Sequence, residues 1–244
     1  MSTKWKEAVA VATGFDAYDD LPERLIGYPA VFASLGIGTP EVRTVLDYGC
    51  GPGKVANRVV QASDARVVAA DISPHMLEIA RQDRPHPRID YHQIDSGRLE
   101  FLSDSTVDAA MSCYVFINIG DLQALHDIAG EVHRVLRPGG RYAVLDTNPG
   151  TTGVRFSTFR SGEPGRDYAT GERRQVLLDQ PRGGVLELID HHWPRQTYLD
   201  VLSAAGFRDI TVREPLLDPA DASSGGPAPA EATRSPFLVV TGVK

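Results

Sequence analysis

Val45-Leu46-Asp47-Tyr48-Gly49-Cys50-Gly51-Pro52-Gly53-Lys54 is an apolar run that gives way to glycines at alternate positions. Thr44 to Tyr48 reads as a strand. It lacks period-two alternation, as a strand covered on both faces does. From about Val55 to Ala62 a helical pattern follows. Strand, glycine turn and helix make the first half of a nucleotide-binding βαβ unit. Glycines permit unusual backbone angles and let a ligand lie against the main chain. The helix start offers free N–H groups to a carboxylate or hydroxyl.

The spacing of the glycines separates two ligand classes. A dinucleotide fingerprint runs G-x-G-x-x-G. Gly49 and Gly51 fit it, but its third glycine would fall on Lys54, and a glycine comes early at Gly53. From Asp47 to Gly53 the pattern is D-x-G-x-G-x-G. At this point the chain resembles the S-adenosylmethionine-dependent methyltransferases with a Rossmann-like fold. The order of later features extends the resemblance. Arg66 to Asp71 reads as a second strand ending in an acid, and Ile89 to Ile94 as a third strand followed by Asp95-Ser96. Val107 to Cys113 resembles that family's "FD-V-" strand, with Val107 in place of the usual aromatic. Asp121 to Leu136 is amphipathic, with Leu122, Leu125, Ile128, Val132 and Leu136 at helical spacing. Leu136-Arg137-Pro138-Gly139-Gly140 then forms the family's helix-ending turn, before a strand at Arg141 to Asp146. The resemblance covers residues 40 to 146 well and the rest loosely.

Several residues gain expected roles. Asp71 lies roughly 20 residues past the glycine loop, where an acid reaches ribose hydroxyls in this topology. A carboxylate accepts from two vicinal hydroxyls at once. Alternatively Asp71 caps the next helix, since Ser73-Pro74 is a helix-start pair. Ile72 and Met76 are candidates to contact adenine, with core packing open for Met76. The resemblance implies that an acid at Asp95 binds the adenine amino group beside Ser96. A turn is the alternative, because Asp95-Ser96-Gly97 is good turn chemistry. With Asp47, Gly49, Gly51 and Gly53, these complete the expected cofactor contacts, joined by Cys113 and Tyr18. Cys50 and Cys113 end adjacent strands and read as a small polarisable wall, not as nucleophiles.

Outside the core the sequence is less explicit. Lys6 to Ala12 suits a short helix, and Gly14 to Asp20 a loop. Leu25, Ile26, Val31, Phe32 and Leu35 follow Pro22 near helical period, and Pro29 divides them into two short helices. The resemblance makes residues 1–40 a helical lid over the cofactor, with Tyr18 and Tyr28 facing ligand and Tyr28 a candidate catalytic residue. Packing within the lid is the alternative. Residues 41–147 form the cofactor-binding core and 148–193 an acceptor-pocket insertion. In that insertion a helical turn is expected near Arg155 to Phe159. Gln175–Asp179 and Val185–Asp190 read as a β-hairpin, which could equally serve a dimer contact. Residues 194–244 supply a helix from about Gln196 to Ala205 and two antiparallel strands, Asp209–Glu214 and Phe237–Val243, joined by a mobile surface loop at 215–236. His192 matches a histidine of small-molecule family members and is a candidate general base. A surface or core histidine is the alternative.

Bulk properties narrow the function. The chain has 244 residues, 42% hydrophobic, with a net charge of -7, enough for a substantial core. No basic run supplies a nucleic-acid footprint. No signal peptide or membrane span is legible, and two cysteines make no disulfide framework. The expectation is a cytoplasmic α/β enzyme, monomer or homodimer, acting on a small molecule without nucleic acid, membrane or metal. Its fold would be a Rossmann-like, mostly parallel seven-stranded sheet with helices on both faces, an N-terminal helical lid and a β-hairpin insertion. Its reaction would be O-, N- or C-methylation by S-adenosylmethionine, in bacterial natural-product tailoring. Two alternatives stand. One is an S-adenosylmethionine-binding protein that catalyses no methylation or regulates a partner. The other is an NAD(P)-dependent oxidoreductase, which the glycine spacing disfavours.

Overall fold

A computed structural model describes residues 9–218, 220–221 and 229–244. Helix α1, Val9–Ala17, is followed by a π-turn, Glu23–Gly27, and helix α2, Tyr28–Leu35. The core then alternates strand and helix: β1, Thr44–Tyr48; α3, Lys54–Ala62; β2, Arg66–Asp71; α4, Pro74–Asp83; β3, Ile89–Gln93; β4, Val107–Cys113; α5, Leu122–Val135; β5, Leu136–Thr147. An insertion carries β6, Phe159–Ser161, β7, Arg173–Asp179, and β8, Val185–His191. Helix α6, Arg195–Ala204, and strands β9, Arg208–Arg213, and β10, Phe237–Val243, end the chain.

The strands form a seven-stranded sheet in the order β3-β2-β1-β4-β5-β10-β9. The first five are parallel, and β10 is antiparallel to both neighbours. Alternation along β1 divides two cores. Val45 belongs with residues of α2, α3 and α4, whereas Leu46 packs with residues of α5 and α6. Both are fully buried, so an unbroken apolar run is what this strand requires. Strand order reverses between β1, which is flanked by β2, and β4. Open α/β sheets bind ligands at such a switch point, outside the carboxyl ends of the strands.

Local chemistry explains the element ends. Ser73 caps α4 by accepting Met76 N–H at 3.3 Å, with Pro74 in the first turn. Asp121 caps α5 through Gln123 N–H at 2.9 Å. Both fit the preference of such residues for helix starts. The Leu136-Arg137-Pro138-Gly139-Gly140 stretch, expected as a turn before the strand, already belongs to β5 directly after α5, with Gly139 at φ 80°.

Three expectations need correction, and one is extended. The stretch from Gly14 is not all loop: α1 continues to Ala17, because Gly14 sits against Leu186 of β8 and long-range packing holds the helix. Of the expected helix at Lys6 to Ala12, residues up to 8 lie outside the described residues. The expected hairpin is present as β7 and β8, and β6 extends it to a three-stranded antiparallel sheet, β6-β7-β8. Phe159 starts a strand there, and Arg155 pairs with Arg160, where a helical turn was expected. Nor is the 215–236 connection wholly a surface loop. Leu217, Glu231 and Ser235 are buried, and Glu231 accepts the Ser157 N–H at 2.6 Å. Residues 219 and 222–228 of that connection are outside the described residues.

Candidate active site

The glycine loop closes over the end of β1. Gly49 and Cys50 N–H groups both donate to Ala70 O, at 2.7 and 3.0 Å. Gly49 has φ 78° and Gly51 φ 52°, angles that favour glycine. A Cβ on Gly49 would run into Val115, whereas one on Gly51 would meet nothing within 4 Å. The first glycine is required by packing. The second faces open space.

That space is a cavity of about 600 Å³ at the ends of β1, β2 and β4. Gly49, Gly51, Asp71, Ile72, Met76, Ser96 and Cys113, all anticipated, line it, with Tyr48, Tyr114 and Val115. Asp71 Oδ2 accepts Gly51 N–H and Oδ1 accepts Ser73 N–H, each at 2.8 Å. It therefore braces the loop and the start of α4 while still facing the cavity. Burial pushes its pKa up, and those N–H groups oppose the shift. Asp95 does not join the lining; it is exposed, and its neighbours Ile94 and Ser96 line the cavity instead. Gly53 also stays out, as the left-handed residue that starts α3 beneath the Tyr91 hydroxyl.

A second, smaller cavity of about 90 Å³ adjoins the first, and Gly49, Gly51, Cys113 and Tyr114 line both. Tyr18, Glu23 and Tyr28 line it from the N-terminal side, and Phe159, Val176, Leu178 and Leu188 from the insertion. Basic residues of the core hold the N-terminal segment in place. Lys54 Nζ donates to Tyr18 O at 2.8 Å, Arg58 pairs with Asp20 at 3.0 Å, and Arg84 with Asp16 at 2.8 Å. On the opposite side, Arg174 forms a buried two-pronged pair with Asp190, at 2.7 and 3.0 Å, and also donates to Thr147 and Thr152. Such a fork fixes geometry as well as charge, so β7 and β8 are pinned to the end of β5.

The electrostatics of this chamber are acidic. Asp47 is buried, and its Oδ2 has no hydrogen-bond partner among the described residues. Burial first, then Asp71 nearby, pushes its pKa up to about 7. Asp190 is pushed up to about 6 by burial, against the pull of Arg174. Burial also raises the thiols of Cys50 and Cys113 well above their usual range. Both remain neutral walls rather than nucleophiles. Tyr114 lies at the end of β4 with φ 60°, a conformation that costs a bulky residue about 1–2 kcal/mol. Its hydroxyl is buried with no partner among the described residues. Backbone strain of this kind collects where a side chain must be aimed.

The histidines fall elsewhere. His191 Nδ1 lies 3.3 Å from Ile117 O, and its ring packs against Gly120. His192 stands beside Tyr168, ring centroids 6.0 Å apart, and lines neither cavity. Glu23 is the functional candidate that sequence reasoning passed over. Its only local signal is an acid early in an otherwise apolar helical pattern, which an ordinary first-turn acid also gives.

Residues 45–140 match the family model described as a methyltransferase domain. Over 199 residues the chain is 39% identical to N-demethylindolmycin N-methyltransferase of Streptomyces griseus, an alignment covering 80% of this chain and 84% of that one. The chain belongs to the S-adenosylmethionine-dependent methyltransferases. A ubiquinone/menaquinone biosynthesis C-methyltransferase of Desulfotalea psychrophila is 30% identical over 187 residues, covering 74% of this chain and 72% of that one. Among solved structures, an S-adenosylmethionine-dependent methyltransferase of Mesorhizobium loti superposes with a TM-score of 0.62 at 23% identity, covering 93% and 99%. This methyltransferase fits its cofactor on its own evidence. The open face of Gly51 admits a ligand to the backbone, and Asp47, whose Oδ2 has no partner among the described residues, lines the adjoining chamber. Acidic, desolvated walls suit a sulfonium cation.

Proposed function

We propose that this methyltransferase transfers a methyl group to the nitrogen of a small-molecule amine, as a tailoring step in biosynthesis. The carrying observation is the adjoining pair of cavities. The larger suits the nucleoside, with Asp71 on the ribose hydroxyls, Ile72 and Met76 against adenine, and Gly49 and Gly51 under the amino-acid portion. The smaller holds the acceptor. Its dimensions and its apolar side chains from β6, β7 and β8 suit a compact, partly apolar molecule rather than a macromolecule. The name of the 39% identical relative places that enzyme's methyl on nitrogen, and the acidic chamber here favours a basic acceptor.

The bound cofactor supplies a methyl group on an already activated sulfonium. What remains for the protein is alignment and exclusion of water. Tyr18, Tyr28 and Tyr114 crowd the acceptor from one side and Phe159 and Leu178 from the other. Asp47 stabilises positive charge in the chamber. The test is to incubate purified protein with S-adenosylmethionine and a panel of amines, phenols and carbon acids. S-adenosylhomocysteine formed together with an N-methylated amine supports the reading. Methylation confined to phenols or carbon acids would overturn the nitrogen assignment.

A further inference from the structure

Glu23 sits in the π-turn, where the Tyr28 N–H donates to Glu23 O across five residues instead of four. π-turns are rare and recur at functional sites. This one carries both Glu23 and Tyr28 into the smaller cavity. The Glu23 carboxyl is buried, and among the described residues no basic group pairs with it. Asp20 and Asp190 in the same chamber already have arginine partners. Lys54, the basic side chain in the lining, donates to Tyr18 O and acts on Glu23 without forming an ion pair with it.

We propose that Glu23 binds the amino group of the methyl acceptor and takes its proton, an inference that rests on the N-methyltransferase reading. Tyr18 sets the carboxyl in place. Its hydroxyl lies 3.0 Å from Glu23 Oε1 and 2.7 Å from Thr158 Oγ1. A hydroxyl has one proton to give, so when Tyr18 donates to the carboxylate, Thr158 donates to Tyr18. One hydroxyl thereby ties Glu23 to the insertion. The Glu23 backbone N–H also donates to the carboxyl, and the lone-pair directions that it and Tyr18 leave are available to a ligand. The charged or titratable groups acting on Glu23 are Tyr18, Asp20 and Lys54, and the Tyr28 and Tyr114 hydroxyls are close by. Burial chiefly, with Asp20, pushes Glu23 up to about 8, while Tyr18 and Lys54 pull the other way. A carboxyl ionising there is matched to accepting a proton near neutral pH.

The chemistry balances. The acceptor enters as an ammonium and gives one proton to the Glu23 carboxylate, which frees the nitrogen lone pair. A carbon–nitrogen bond then forms to the methyl carbon as the carbon–sulfur bond breaks, and that electron pair stays on sulfur. The products are S-adenosylhomocysteine and an N-methylammonium. Glu23 returns its proton to solvent.

The experiment compares kcat/KM and its pH dependence for wild type and Glu23→Gln, using a primary aliphatic amine that the wild type methylates. Wild-type kcat/KM should rise with pH through an inflection near 8. Glu23→Gln should lower kcat/KM by about 100-fold or more and remove that inflection. Glu23→Asp should restore part of the rate. S-adenosylhomocysteine affinity, measured by calorimetry, should be unchanged, which also reports that the variant is folded. Equal kcat/KM and an equal profile in Glu23→Gln would overturn the role of Glu23 while leaving N-methylation standing. A wild-type profile without the inflection would overturn it even if the variant failed to fold. A wild type that methylates no amine would overturn the underlying reading, and the inference with it.

Discussion

The Asp71 carboxylate accepts the Gly51 N–H at 2.8 Å, so the acid that ends β2 directly shapes the glycine loop that ends β1. The same side chain holds Ser73 N–H with its other oxygen. Asp71→Ala should weaken S-adenosylhomocysteine binding by at least about tenfold. It should also destabilise the free protein by about 1–3 kcal/mol, since two N–H groups lose their acceptor. Calorimetry and thermal unfolding check the two effects separately. Unchanged affinity would exclude a ribose contact.

Two glycines of one loop should respond differently to the same change. Gly49→Ala forces a Cβ into Val115 at φ 78° and should lower stability by about 1–3 kcal/mol. Gly51→Ala meets no atom within 4 Å. With only the left-handed backbone at φ 52° to strain it, it should lose about 1 kcal/mol of stability and lower cofactor affinity, because the methyl occupies the surface against which the ligand lies. Paired melting and binding curves distinguish the two.

Asp47 is buried with one oxygen unpartnered among the described residues, and its pKa rises from 3.8 to about 7 on folding. A raised carboxyl favours the folded state in its neutral form. Its contribution is therefore complete below pH 4 and is lost as pH rises through about 7. Asp47→Asn removes that loss. The variant's melting temperature, taken without cofactor, should exceed wild type at pH 8 by an amount worth on the order of 1 kcal/mol or more, and the gain should shrink as pH falls toward 4. A gain independent of pH would show that Asp47 does not titrate as described.

His192→Ala should retain methyl transfer within about twofold, because its ring lies beside Tyr168 and outside both cavities. Burial holds its pKa low, and Nδ1 is buried without a partner among the described residues. Its removal should alter stability more than rate. A loss of about 100-fold in kcat with cofactor affinity intact would restore it as the base.

The nucleotide half of the fold was legible because its chemistry is local. Three glycines, an acid at the end of the next strand and a capped helix lie within one βαβ unit, where spacing alone fixes geometry. The acceptor chamber was not legible in this way. Tyr18 and Tyr28 drew notice as aromatics, yet Glu23 reads in sequence as any first-turn acid. Its position depends on a π-turn and on Thr158, 140 residues distant from Tyr18. β6 was missed because three residues pairing with a remote strand leave no period to detect. His192 attracted attention through the His191-His192-Trp193 run. There the Trp193 indole donates to Phe116 O and Ile119 O, and it fixes which side of the chain each histidine takes.

The most direct test is a crystal structure with S-adenosylhomocysteine and a methylated amine product. The account requires the adenosine between Asp71 and Met76, the sulfur beside Cys113 and Tyr114, and the amine nitrogen within hydrogen-bond distance of Glu23. Adenosine bound outside the larger cavity, or an amine remote from Glu23, would contradict it.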